Sequence, residues 1–455
     1  MVRIRDTLLR DTVELTTREP GKVTVYVCGP TVYDVPHIGN ARTAVVFDAI
    51  RRYLEWIGFD VTYVSNVTDV EDKIIARAAA EGRTEPEVAG EYEAVYFDHM
   101  ARIGVRAADH RPHATEYIDR MLELIGELVE SGHAYEVPGQ GVYFAVETFD
   151  GYGALPHRTI EELRESAGAR VDVDEAKRSP MDFALWKAAK SGEPAWESPW
   201  GPGRPGWHIE CSAMSLDLLG EGFDLHGGGA DLMFPHHENE RAQANAAGHA
   251  FARHWIHSGM VTIGGDKMSK SLGNFTTVAE ALTDFDWRAI RLAMLQTQYR
   301  RAADLGVAEL TAASKAVERL DALFRRATVT AADSDAPTVD RFRTAMDDDF
   351  DTAHALAVIF EAARDANRLI DDGAPDRAAP IVAAVAELLA VLGLDTREID
   401  LDETGGDDTE IDALVRERDD ARAARDFVRS DAIRDELAAR GIKLEDTVGG
   451  TIWHR

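Results

Sequence analysis

Val23-Thr24-Val25-Tyr26-Val27, followed by Cys28-Gly29-Pro30 and then by Pro36-His37-Ile38-Gly39-Asn40, is the stretch that decides the fold. Val23 to Val27 alternates as a half-buried strand does, Gly29, Pro30 and Pro36 mark a loop, and Ala41 to Ile57 carries apolar residues at helical spacing. Val61 to Val64 reads as a second strand, so residues 20–66 spell strand, helix, strand, the opening of a nucleotide fold. His37 to Asn40 then sits where a strand hands over to a helix. Unpaired N–H groups and the positive end of the helix dipole favour polyphosphate there, and Gly39 allows close approach. His37 and Asn40, at i and i+3, are expected to face one ligand.

Far downstream, Lys267-Met268-Ser269-Lys270-Ser271 follows Ile263-Gly264-Gly265. Two lysines in a glycine-led loop suit closure over phosphates and neutralisation of charge that develops on them. Alone, either segment has a bland reading, a turn containing a histidine or a basic surface loop. In this order, the first opening a βαβ unit, they resemble the two signatures of class I aminoacyl-tRNA synthetases. Asn40 stands where the commonest version of the first signature has His, and it can still donate a hydrogen bond to a phosphate or ribose oxygen.

At 455 residues the chain is too long for one ordinary core. It shows no long apolar run and no basic-then-apolar leader, so neither membrane nor export is expected, and the location expected is cytoplasmic. The net charge of -31 is at odds with an RNA partner, because phosphate contacts normally supply much of such affinity. The acidic excess is spread over every segment, and the basic residues are overwhelmingly Arg, the composition of a surface adapted to concentrated salt. At about 1 M salt the Debye length is only about 3 Å, which screens diffuse repulsion and leaves local Arg contacts. A halophilic source is the expectation.

Cys28 and Cys211 are the two cysteines of the chain. In the cytoplasm a disulfide is disfavoured, leaving buried thiols, reactive thiols or metal ligands. Cys28 ends the first strand, and Cys211 lies in Trp207-His208-Ile209-Glu210-Cys211-Ser212-Ala213-Met214. Downstream comes His226-Gly227-Gly228-Gly229-Ala230-Asp231-Leu232-Met233-Phe234-Pro235-His236-His237-Glu238-Asn239-Glu240, in which Pro235 suits a first helical turn and His236 and Glu240 stack at i and i+4. Sulfur, imidazole and carboxylate are a set that zinc accepts. These two stretches resemble the cysteinyl-tRNA synthetase family specifically. The resemblance implies one Zn2+ per chain on Cys28, Cys211, His236 and Glu240, with His237 and Glu238 in supporting roles. It also implies that direct contact between metal and substrate thiol is the specificity device, since a plain pocket separates near-isosteric side chains by only about 1–3 kcal/mol.

The activity implied is formation of cysteinyl-adenylate from L-cysteine and ATP, with Mg2+ accompanying ATP, and transfer of the cysteinyl group to tRNA(Cys). On that basis His37 and Asn40 go to the triphosphate, Lys270 to the developing charge and Lys267 to the loop. Gly227, Gly228 and Gly229 go to adenosine, Asp231 to the substrate ammonium or ribose, and Thr68 and Trp207 to the pocket. The fold class expected is α/β, a Rossmann-like catalytic domain in two halves, 1–134 and 207–286, around an inserted segment, 135–206. That segment holds a hairpin near Pro138-Gly139-Gln140-Gly141 and a loop Pro199 to Pro205. From about 287 strands are expected to cease. Amphipathic patterns at 306–328, 340–371 and 376–392 place a helical bundle at 287–394, to which the resemblance gives a tRNA-binding role. An acidic linker at 395–409 and a small domain at 410–455 follow; the latter resembles the family's terminal domain, which implies anticodon binding, with Arg422, Asp431 and Asp446 as its contacts. A monomer is expected. The rival reading is the ligase of mycothiol synthesis, which passes cysteine to an amino-sugar and lacks a matching anticodon-binding end. From another class comes a non-catalytic zinc and nucleotide-binding module, against which Lys267, Lys270 and the filled metal positions argue.

Overall fold

A computed structural model of the chain describes residues 1–167, 177–268, 276–327, 333–394, 409–424, 426–439, 442–447 and 450–454. The chain divides into two compact units, Met1–Asp395 and Thr396–Arg455.

The first unit is organised by a four-stranded parallel sheet whose order is His254–Ser258, Leu225–Gly229, Lys22–Val27, Asp60–Ser65. Lys22 pairs with Asp60 and Val25 with Leu225, so the strand that opens the fold lies inside the sheet. Its partners on the two sides come from distant parts of the sequence. The carboxyl ends of Lys22–Val27 and Leu225–Gly229 therefore form a switch point, the crevice where ligands of open α/β sheets bind. The helix Ile38–Trp56 returns from the first strand and buries Val45, Phe47, Ile50 and Tyr53.

The inserted region is a second sheet, an antiparallel meander of Ala134–Val137, Gly141–Phe144, Phe183–Ala188 and Gly203–Pro205. The hairpin turns at Pro138 to Gln140 as its composition predicts. Residues 203–205, expected as loop, are strand; Gly203 and Pro205 have low β propensity, and the pairing of Trp186 with Pro205 imposes the state.

Downstream come helices Trp287–Leu295, Val307–Arg326, Ala336–Asp347, Thr352–Asp371 and Pro375–Val391. The pattern expected as continuous over 340–371 is broken. Asp349 and Phe350 adopt φ of +61° and +49°. The Asp349 carboxylate accepts from Arg5 N at 2.7 Å and from the Tyr299 hydroxyl at 2.8 Å, tertiary bonds that hold the left-handed turn. Strands also continue past 287: Ala303–Asp304 pairs in parallel with Val261–Ile263. The buried Arg291 donates to Leu392 O at 2.8 Å and to the Asp48 carboxylate, tying the helices to the sheet domain within this unit.

In the second unit, helices Thr409–Ala423 and Phe427–Ala439 enclose Ile411, Val415, Ile433 and Leu437, and a hairpin joins Lys443–Thr447 to Gly450–His454. No described helix is long and apolar enough to cross a membrane.

Candidate active site

Cys28 continues the ladder of the first strand, its N–H donating to Gly227 O at 3.2 Å. From this half-buried position its sulfur meets the buried Cys211 on helix Trp207–Leu219 at 3.7 Å and Glu240 Oε1 at 3.5 Å. His236 Nε2 lies 3.1 Å from the same carboxylate oxygen, one helical turn away. One ligand atom from each of Cys28, Cys211, His236 and Glu240 lies within 4.8 Å of all the others. Around a tetrahedral zinc, with bonds of about 2.3 Å to sulfur and about 2.0 Å to nitrogen and oxygen, such donors stand about 3.8, 3.5 and 3.3 Å apart for S–S, S–O and N–O. The donor set and its spacing fit the metal. A second grouping, Cys28, His226, His237 and Glu240, also meets the 4.8 Å limit. In it His226 Nε2 is already bonded to Glu240 Oε2 at 2.8 Å, which leaves Oε1 to the first grouping.

Burial governs the charges here. It pushes the Cys28 and Cys211 thiols up and His236 well down, which favours the neutral form of all three side chains. The Tyr26 hydroxyl is pushed up by burial first and then by Cys211, Cys28 and Glu240. Nδ1 of His236 sits 2.8 Å from Nδ1 of His208. Burial and, less, Lys187 pull His208 down to about 3, so it is neutral and can accept at Nδ1 in one of its two tautomers. A proton on Nδ1 of His236 then leaves its Nε2 lone pair toward Glu240 and the sulfurs.

Trp207 stacks on His236, with ring centroids 4.2 Å apart. Thr68 lies just beyond the second strand, bridged to Thr31, and its hydroxyl donates to Glu210 Oε2 at 3.0 Å. Asn66 accepts from Gly29 N at 2.9 Å and approaches Cys211 at 3.6 Å. Burial pushes the Glu210 carboxyl well up, against the Thr68 bond. His208, Glu210, His226 and Asn66 were not singled out from the sequence. Their signal was there in part, since Tyr26 and His226 are register partners at the switch point, but pairing is not legible along one chain.

The three glycines lie in the strand Leu225–Gly229. A Cβ on Gly227 would run into the Phe47 ring of the first helix, and one on Gly228 would stand 2.8 Å from the His237 ring. Packing thus requires both, beside any role toward adenosine. Asp231 is exposed just past the strand end. His237 Nδ1 pairs with His257 Nε2 at 2.8 Å, and the Glu238 carboxylate accepts from Gly153 N and Leu155 N at 2.9 and 2.8 Å, supporting positions both.

His37 is the N-cap of Ile38–Trp56. Its Nδ1 accepts from Asn40 N at 3.2 Å, while Asn40 Oδ1 accepts from His37 N at 3.1 Å. The pair closes a capping box, so neutral His37 carries its proton on Nε2 and Asn40 keeps its Nδ2 donors. Ile38 N donates to Thr276 O at 3.1 Å, and a Cβ on Gly39 would stand 3.3 Å from Met268. The two signature segments are therefore neighbours. Lys267 pairs through its backbone with Thr262, its side chain lying outside the description, and Lys270 lies outside the described residues. In the second unit Arg422 is exposed, Asp431 is exposed and paired with Arg434 at 3.1 Å, and Asp446 stands opposite Thr451 in the hairpin.

Residues 14–315 match the class I (C) tRNA synthetase catalytic domain, 341–396 the DALR domain, and 404–453 the cysteinyl-tRNA ligase anticodon binding domain. Cysteine–tRNA ligase of Halorhodospira halophila is 50% identical over 461 residues, covering 100% of both chains. The chain belongs to the cysteinyl-tRNA synthetase family, within the class I aminoacyl-tRNA synthetases. The cysteine–tRNA ligase of Geobacillus thermodenitrificans, another member, is 46% identical over 100% of this chain and 99% of its own. Among solved structures, Mycobacterium tuberculosis methionyl-tRNA synthetase bound by methionyl-adenylate superposes with a TM-score of 0.63 at 17% identity, over 82% of this chain and 92% of that one. A leucyl-tRNA synthetase complex from Agrobacterium radiobacter gives 0.61 at 12%, over 84% and 85%. At such identities the likeness is one of fold, and it agrees with the Rossmann-like sheet seen in this synthetase.

Proposed function

We propose that the chain activates L-cysteine with ATP as cysteinyl-adenylate and passes the cysteinyl group to tRNA(Cys), using one Zn2+ held by Cys28, Cys211, His236 and Glu240. The observation that carries this reading is the buried four-donor cluster at the switch point, with its spacing of 3.7 and 3.5 Å about Cys28. Zinc held there would supply a soft Lewis-acid site that takes a thiol as thiolate, which the hydroxyl of serine does not imitate.

The remaining work falls to the chain. In adenylate formation the substrate carboxylate attacks the α-phosphate, so the protein supplies position and charge rather than a nucleophile. His37 through Nε2–H, Asn40 through Nδ2 and the first N–H groups of the helix hold the triphosphate, which arrives with Mg2+. Lys270 meets the charge that grows on the departing pyrophosphate, and Lys267 holds the loop. Trp207 and Thr68 shape the pocket, Asp231 receives the ammonium or the ribose, and Gly229 admits adenosine. Residues 287–394 and 410–455 are assigned to tRNA, with Arg422, Asp431 and Asp446 toward the anticodon. The match of 404–453 to an anticodon-binding model supports tRNA over an amino-sugar as acceptor.

The test is cysteine-dependent exchange of pyrophosphate into ATP in high salt, with serine as competitor, before and after zinc is stripped. Exchange specific for cysteine and lost with the metal is expected. Exchange that survives complete zinc removal overturns the metal's part, and no exchange by metal-replete protein overturns activation.

A further inference from the structure

We infer that the Tyr26 hydroxyl donates a hydrogen bond to a ligand thiolate of the metal centre, Cys211 foremost, and thereby sets how tightly that centre holds the substrate's sulfur. This rests on the metal reading above.

Tyr26 is fully buried on the strand Lys22–Val27. It precedes Cys28 by two positions, so the two side chains leave the same face of the sheet. Its register partner on the neighbouring strand is His226, whose ring meets it edge-on at 5.4 Å and which in turn holds Glu240. Cys211, Cys28 and Glu240 are the groups whose charges act on the hydroxyl. The hydroxyl oxygen meets the full geometry of a hydrogen bond with no neighbour, although Cys211 is near enough for such a bond to weigh on both of their protons. A buried O–H without an acceptor is costly, and Phe would fill the same space without that cost.

As thiols, Cys28 donates toward Cys211 at 3.7 Å or Glu240 Oε1 at 3.5 Å, and Cys211 toward Asn66 Oδ1 at 3.6 Å. Ligation requires both to lose their protons to solvent. Two sulfur acceptors are created and their own donors vanish, while the Tyr26 O–H stands beside Cys211. A hydrogen bond to a ligand sulfur draws charge from it, so that sulfur gives less to the metal and an incoming thiolate is held more firmly. Tyr26 is thus a positioning residue, acting through Cys211.

The experiment compares the full chain, wild type and Tyr26→Phe, loaded with Co2+. Wild type is expected to take up one Co2+ with sulfur-to-cobalt charge-transfer absorption; its absence overturns the metal reading and this inference with it. With those bands present, Tyr26→Phe is expected to keep the stoichiometry, shift the bands to lower energy and, in the zinc form, raise KM for cysteine about tenfold with kcat unchanged. Superimposable bands and an equal KM overturn the role of Tyr26 alone. If the variant does not fold, wild type labelled with 13C at tyrosine Cζ decides. One buried tyrosine signal moves on zinc loading and shows a shift between H2O and D2O, and unmoved signals overturn the inference.

Discussion

Cys28 and His37 leave the same strand end a short loop apart, one into a buried cluster and the other onto a half-buried helix cap. On the side proposed for the thiol the donors are side chains, three of them held by another: Glu240 by His226, His236 by His208, Cys211 by Asn66. On the side proposed for phosphate, backbone N–H groups stand at a helix start with two side chains that cap each other. Selecting one soft atom needs a dry, fixed arrangement of few donors. Holding a polyphosphate needs many weak donors and a dipole at an accessible helix end. The two halves of the site should therefore fail in different ways.

The largest effect is expected from Cys211→Ser. Bound zinc should fall below about a tenth of an ion per chain and cysteine-dependent exchange by about 10³ or more, while the variant retains ATP binding. Metal analysis, exchange and nucleotide titration on one preparation check this. An active, metal-free variant would erase the contrast. On the phosphate side, His37→Ala should cost about 10² in exchange with zinc content unchanged, since one preorganised donor is lost along with its cap. Loss of zinc in that variant would mean that the two halves are one structural unit.

A finer cut falls inside the thiol side. Thr68→Val leaves both Glu210 carboxylate oxygens buried without a partner, because Oε1 already has none. The expected cost is about 1–3 kcal/mol of stability in urea unfolding, with Thr68→Ser near wild type. Equal stability of Val and Ser variants would show that Glu210 does not depend on Thr68.

This contrast also explains what was legible in the sequence. Strand 22–27, helix 38–56 and strand 60–65 follow from local period and punctuation, and so does the hairpin at 138–140. The four positions proposed for a metal were legible as residue types in resembling stretches, and the structure places their donor atoms within 4.8 Å of one another. What was illegible depends on partners remote in sequence. Gly203 to Pro205 is a strand only because Phe183–Ala188 pairs with it. The break at Asp349 is held by Arg5, Tyr299 and Gln298. The glycines of 227–229 looked like ligand glycines, whereas Phe47 and His237 give two of them a packing reason that only the folded sheet supplies.

The smallest effect lies behind the thiol side, at the surface. His249 follows the helix that carries Glu240 and bridges Glu221 at 2.9 Å through Nδ1 and Glu127 at 2.7 Å through Nε2. Partial burial lowers its pKa, but the two carboxylates outweigh that and the net shift is upward. A raised folded pKa stabilises the protein fully below the unfolded value of about 6.5, and that contribution is lost as pH rises through the folded pKa. Glu221 is shifted down, chiefly by its bond to His249, so its share is present above about pH 4.3 and lost below. The window is therefore bounded by acid on one side and by neutrality on the other. His249→Gln should lower Tm by on the order of 1 °C near pH 5.5 and by less near pH 8.5, in dilute buffer. At about 1 M salt, with a Debye length of about 3 Å, that difference should shrink, whereas the zinc dependence of the buried cluster should persist. A His249 effect that grows with salt, or one larger at pH 8.5, would break the division between a buried site insulated from solvent and a surface that salt controls.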